Sequence, residues 1–212
     1  MTHNEYSWNT DSHILFLDQP VNVGFSYSDD GSKVDRSTIA GEDAHAFFQL
    51  FFARFPKYAS APFHIASESY GGTYAPHAAS IFHKKNKELA LAPTPRFTRI
   101  NLASVILANG ITDPLEQLSS VREYACYGPY RILDPDGKEC NSMKRGSAVC
   151  ERLIRTCYRF PTRVGCLSTA YYCYSQLYTP MESKCRLTTL HCIPVIVHFF
   201  VHRDGVEPVR CA

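Results

Sequence analysis

No cysteine stands before residue 126 of this 212-residue chain, no Asn-x-Ser/Thr sequon occurs in it, and no apolar run approaches bilayer length. The longest, Cys192 to Val201, is half of what a spanning helix needs and is interrupted by Pro194 and His198, so a transmembrane helix is excluded. N-linked glycosylation finds no acceptor. An excess of one charge is lacking too: 22 Lys and Arg stand against 20 Asp and Glu, a formal net charge of +2. That mixture leaves no basic footprint for nucleic acid and no polybasic tract for a membrane. Met1 to Asn9 contains neither an apolar core segment nor a small-residue cleavage site, so it does not read as a secretory signal. There is no C-x-x-C and no histidine pair beside the cysteines, so zinc is not expected, and no other metal or organic cofactor is indicated.

What is present describes a globular chain. Hydrophobic residues make up 45% and charged residues 20%, which excludes disorder and collagen-like repetition. Thirteen Phe and thirteen Tyr supply large apolar area for a core. The length suits one domain, or one domain with an insertion. Nine cysteines crowded from residue 126 onward belong to an oxidising compartment. With no targeting segment in view, the expectation is that an upstream piece precedes this sequence.

Periodicity predicts the elements. His13 to Leu17 is a short apolar run stopped at Asp18-Gln19-Pro20, the pattern of a buried strand. From Ser37 to Phe55 the phenylalanines recur at spacings of three and four until Pro56, which predicts a helix packed on a sheet. Phe63 to Ala66 predicts a second strand and Thr73 to about Lys85 a second helix. Lys84 to Pro95, polar and proline-punctuated, reads as a surface connection. Ile100 to Ala108 predicts a third strand, ended by Asn109-Gly110. Strands alternating with helices imply an α/β fold with a mostly parallel sheet covered on both faces.

From Cys126 onward the composition shifts to cysteine, arginine and tyrosine. Cys150, Cys157, Cys166 and Cys173 are spaced seven, nine and seven, and seven residues is about two helical turns. A helical hairpin turning at Pro161 and Gly165 brings Cys157 near Cys166 and Cys150 near Cys173, and leaves Cys126 with Cys140. Six cysteines allow fifteen pairings, and the hairpin favours this one.

The segment that carries chemistry is Phe63-His-Ile-Ala-Ser-Glu-Ser69-Tyr-Gly-Gly72. It places Ser69 at a sharp turn between a buried strand and a helix, as a nucleophile elbow requires. Such a turn needs small residues two before and two after the serine, and these are Ser67 and Gly71. The following helix turns free amides and its positive dipole end toward an oxyanion beside Ser69 Oγ, and the Tyr70 N–H is one donor. The alternative for the hexapeptide alone is an ordinary strand–turn–helix junction.

Further motifs separate these readings. Tyr6-Ser-Trp-Asn9 and Ile14-Leu-Phe-Leu-Asp-Gln-Pro-Val-Asn-Val-Gly-Phe-Ser-Tyr-Ser28 resemble the serine carboxypeptidase family, and the Asp-Gln-Pro-Val-Asn-Val-Gly form is most similar to its carboxypeptidase Y branch. Ser67-Glu-Ser-Tyr-Gly-Gly-Thr-Tyr-Ala-Pro76 is similar to that family's signature, with Ser67 where the family has glycine. Asn109-Gly-Ile-Thr-Asp-Pro-Leu115 resembles a further segment, and the cysteines from 126 to 173 resemble its disulfide-bonded insertion, with the pairing just described. The likeness runs from about Tyr6 to Met181.

The resemblance implies an α/β-hydrolase that removes C-terminal residues from peptides and proteins through an acyl-enzyme, in an acidic compartment such as a vacuole or lysosome, or outside the cell. Ser69 is then the nucleophile and Tyr70 a backbone oxyanion donor. Glu68 holds the substrate's terminal carboxylate, and only a protonated carboxyl can donate a hydrogen bond to a carboxylate. The family's Asn-Gly-Gly-Pro-Gly-Cys-Ser-Ser segment does not occur here, nor do its Gly-Asp-x-Asp and Gly-His-x-Val-Pro contexts for the triad aspartate and histidine. His198, His202 and Asp204 do not follow the Ser, Asp, His order of the fold. His45, His64, His77 and His83 are read as packing or surface residues. The expected organisation is a partial hydrolase core over residues 1–120, a cysteine-rich helical insertion over 121–181, and a tail over 182–212 that departs from the family, as a frame error or retained intron would produce. Peptides and proteins are the expected partners, and an inactive chain is expected without the triad. The rival readings are a catalytically dead binding module, a carboxypeptidase-like acyltransferase, and a chain too exposed at its sheet edge to stay soluble.

Overall fold

The computed structural model describes residues 4–129, 131–184 and 197–202. They divide into two compact units, one within Met1–Gly110 and Pro194–Ala212, the other within Ile111–Ile193.

The first unit is a four-stranded sheet with two helices. Strand β1 is Ser12–Phe16, β2 is Phe63–Glu68 and β3 is Leu102–Ala108. Helix α1 is Ser37–Arg54 and α2 is Gly71–Leu91. A fourth strand, β4, is Val197–His202, and the order is β1-β4-β2-β3. Strands β2 and β3 run parallel, and β4 is antiparallel to both β1 and β2. Strands β1, β2 and β3, with a helix between each consecutive pair, therefore all point the same way. The departure from a mostly parallel sheet lies in β4. Strand β3 is outermost, and Val105, Ile106 and Leu107 on it stay exposed.

The phenylalanines of α1 do what their spacing predicts. Phe48 is fully buried, and its ring meets those of Phe63 at 4.7 Å, Phe52 at 5.9 Å and Phe82 at 6.0 Å. Ala44, Ala75 and Ala78 let α1 and α2 lie close over β2. Helix α2 corrects the expected surface connection at Lys84 to Pro95, because it continues to Leu91. Lys, Glu, Leu and Ala are good helix formers, and Glu88 draws in Lys84 at 3.9 Å and Lys85 at 3.8 Å. Two side-chain amides fix the approach to β3. Asn86 bonds both the N–H (3.0 Å) and the carbonyl (2.7 Å) of Ile100, and Gln49 does the same for Thr98 at 2.7 and 2.9 Å.

The second unit is helical. Its α3 is Pro114–Tyr127, α4 is Lys138–Arg159 and α5 is Arg163–Cys173, followed by a π-turn at Tyr174–Tyr178 and α6 at Thr179–Lys184. Gly165, expected in the turn, lies inside α5, where its N–H donates to the capping Thr162 hydroxyl at 3.2 Å. The cap moves the turn back to Phe160–Thr162, because a threonine oxygen satisfies an amide that the helix start leaves free. Disulfides join Cys126 to Cys140, Cys150 to Cys173 and Cys157 to Cys166. Between them Met143, Ile154 and Leu177 complete a small core.

Asp113 caps α3, accepting the Leu115 N–H at 2.9 Å, and the Tyr158 hydroxyl donates to the same oxygen at 2.6 Å. The Tyr158 bond, then the Leu115 amide, lower the Asp113 pKa below its ordinary 3.8. Burial, then the bond to Asp113, raise Tyr158 from 10.0 to about 12. A lowered carboxyl pKa adds stability above pH 3.8 that is lost as pH falls through the folded value. A raised tyrosine pKa adds stability below pH 10.0 that is lost as pH rises toward about 12. Tyr158→Phe is expected to remove the alkaline loss and shrink the acid one. Thermal melts across pH test this, and two superimposable profiles would rule the link out.

Candidate active site

Strand β2 delivers the chain to Ser69 from buried positions, with Ile65, Ala66 and Ser67 all enclosed. At Ser69 the backbone turns left-handed, φ +56°, and α2 begins two residues later at Gly71. A non-glycine residue in this region costs of order 1–3 kcal/mol and persists only where its surroundings impose it. Here they do. The Ser69 N–H donates to the Ala108 carbonyl at the end of β3 (3.1 Å), and the Ser69 carbonyl accepts the Gly72 N–H at 3.0 Å. Ser69 itself is half-buried and Tyr70 beside it is exposed.

An α-helix leaves its first amides without intrahelical partners, and no side chain caps α2. The turn bonds occupy the amides of Gly72 and Thr73. Those of Tyr70 and Gly71 have no hydrogen-bond partner among the described residues and lie at the head of the helix, where the dipole favours an anion. Glu68 is the last residue of β2 and half-buried, which sets a carboxyl directly before the serine.

Two features of the site were not legible in the motif. Asn109 is also left-handed, φ +48°, which asparagine tolerates better than most residues. Gly110 then passes so close to the elbow that a Cβ on it would lie 2.9 Å from the Gly72 Cα. The Asn-Gly pair is the local sequence signal for such a turn. Gly110→Ala should force the end of β3 away from the head of α2 and cost about 1–3 kcal/mol. Denaturant unfolding measures it, and an unchanged midpoint would show that the contact relaxes freely. Ser67, which stands where the family's motif has glycine, is 3% exposed, and its hydroxyl has no hydrogen-bond partner among the described residues. Ser67→Ala is expected to raise stability by about 1 kcal/mol, since an unsatisfied buried hydroxyl carries its desolvation penalty. A lower melting temperature for that variant would contradict this.

The histidines do not assemble around Ser69. His64 Nδ1 lies 2.7 Å from the Ser104 hydroxyl, across β2 and β3. His45 meets Gln49 at 3.3 Å, and burial, then nearby Lys85, hold its pKa below the ordinary value. Among the described residues no histidine is hydrogen-bonded to Ser69, and no cluster of metal-ligating side chains occurs. The side chains of His198 and His202, and all of Asp204, lie outside the described residues. No described helix is long and apolar enough to cross a membrane.

The chain is similar to known proteins. The model of the serine carboxypeptidase family matches residues 1–198. Carboxypeptidase Y homolog A of Arthroderma gypseum is 44% identical over 184 residues, covering 86% of this chain and 31% of that protein. The homolog from Arthroderma otae is 41% identical over 203 residues, covering 90% and 35%. The chain thus spans about a third of the length of these relatives. Among solved structures, Kex1(delta)p, a prohormone-processing carboxypeptidase from Saccharomyces cerevisiae, superposes with a TM-score of 0.54 at 22% identity, over 76% of this chain and 34% of that one. That likeness shows the fold, part of an α/β-hydrolase.

Proposed function

The chain belongs to the serine carboxypeptidase family, and we propose that Ser69 is the nucleophile with which the complete protein removes C-terminal residues from peptides and proteins. Ser69 Oγ attacks the last peptide carbonyl and the C-terminal residue leaves, giving an acyl-enzyme that water then hydrolyses. The Tyr70 N–H donates to the oxyanion, a contact worth about 10²–10³ in rate. Glu68, directly before the serine, holds the substrate's terminal carboxylate, and the complete protein works in a vacuole-like compartment or outside the cell. The observation that supports this most is the left-handed Ser69 at the junction of β2 and α2.

A serine needs a base to lose its proton, and no described histidine reaches this one. These 212 residues by themselves are therefore proposed to be catalytically silent. A fluorophosphonate probe tests both halves of the reading. It should leave Ser69 unmodified in this chain and modify it in a longer one that supplies the aspartate and histidine. Labelling at another residue of the longer chain would remove Ser69 from its role.

A further inference from the structure

The α4–α5 hairpin carries an exposed apolar stripe. Val164, Leu167, Tyr171 and Tyr174 follow one another along α5 and its end at spacings of three and four, with Phe160 before them at the turn. Their exposure ranges from 50% at Tyr174 to 78% at Val164 and Tyr171. The opposite face of α5 is spent on Thr169 and Cys173, both buried in the unit's own core. Tyr174 stacks on Tyr178 at 5.6 Å, while Phe160, Val164, Leu167 and Tyr171 take no part in the unit's core.

The charge beside it is one-sided. Between residues 144 and 174 there are six basic side chains and a single acid, Glu151. All six are exposed, and none is in an ion pair among the described residues. Four of them, Arg152, Arg155, Arg159 and Arg163, crowd toward the hairpin tip, and the Arg159 guanidinium lies over the Phe160 ring at 5.4 Å. At the tip every residue from Tyr158 to Gly165 is exposed, and the Cys157–Cys166 disulfide clamps its base. A clamped tip is presented in one arrangement, so binding need not order it first.

We propose that this tip docks on an anionic phospholipid surface, with Phe160, Val164 and Leu167 entering the headgroup boundary and the arginines pairing with phosphates. Apolar side chains flanked by arginine, with tyrosines behind them, are the chemistry of an interfacial segment. A second copy of the chain would set like charges against each other. An acidic helix would need a groove, whereas eight consecutive exposed residues make a protrusion. The inference is independent of Ser69 and its chemistry.

The test is co-sedimentation of the oxidised 212-residue chain with vesicles of phosphatidylcholine alone, or of phosphatidylcholine and phosphatidylserine in equal parts. Binding is expected on the mixed vesicles only, weakening as salt is raised. Each arginine near such a surface contributes about 1 kcal/mol, roughly fivefold in affinity, so R155Q/R159Q/R163Q should bind on the order of a hundredfold more weakly. V164S/L167S should also release the chain, while circular dichroism and the absence of free thiols in the hairpin show that the fold is kept. No binding to the mixed vesicles, equal binding to both kinds, or undiminished binding by either variant overturns the proposal. Capture of the chain by polyglutamate without any vesicle binding overturns it as well, and assigns the surface to an acidic protein.

Discussion

A longer chain that supplies the family's aspartate and histidine is expected to cleave a C-terminal peptide bond about 10⁶ times faster than these 212 residues alone. The size follows from how a triad works. Its members act as a unit, so loss of the histidine alone costs about as much as loss of all three. What remains is binding and the oxyanion donors, still worth about 10³–10⁴ over water. Ser69→Ala in the longer chain should bring kcat down to the level of the short one, with KM changed far less. Steady-state rates on a blocked dipeptide decide it. A short chain within tenfold of the long one would mean that its own residues supply the base, and His64, paired with Ser104, would be the first to replace.

Phe48→Ala should lower the unfolding free energy by about 3–5 kcal/mol, a large share of a domain's stability. Phe48 is fully buried and sits among the rings of α1, α2 and β2, so truncation empties the centre of the first unit. The neighbouring rings are held by their own elements and cannot all move in. The exposed Leu50, two residues on in α1, is the control and should cost well under about 1 kcal/mol as alanine. Urea titration of both variants measures the contrast. Equal midpoints would show that the aromatic cluster is loosely packed.

Much of this was legible along the chain. Phenylalanines at three and four predicted α1, and their burial follows from the period of a helix. Small residues around Ser69 foretold a tight turn because larger side chains there would collide. Other features depend on partners far away in sequence. The grip of Gln49 and Asn86 on residues 98 and 100, and the bond from Tyr158 to Asp113, leave no local pattern. The arginines near the hairpin tip are diluted along the sequence, where they do not form a basic run, and are concentrated only when α4 folds them to one end.

The sequence by itself determined β1, β2, β3 and α1, the start of α2, where the serine turns, and how the cysteines can meet, because these rest on short-range periodicity and on the sterics of small residues. The tertiary structure alone decided the grip of the Ala108 carbonyl on Ser69, the contact of Gly110 with Gly72, and the place of β4 between β1 and β2. Each of these is a meeting of chain segments distant in sequence, and its energy exists only once both are in place.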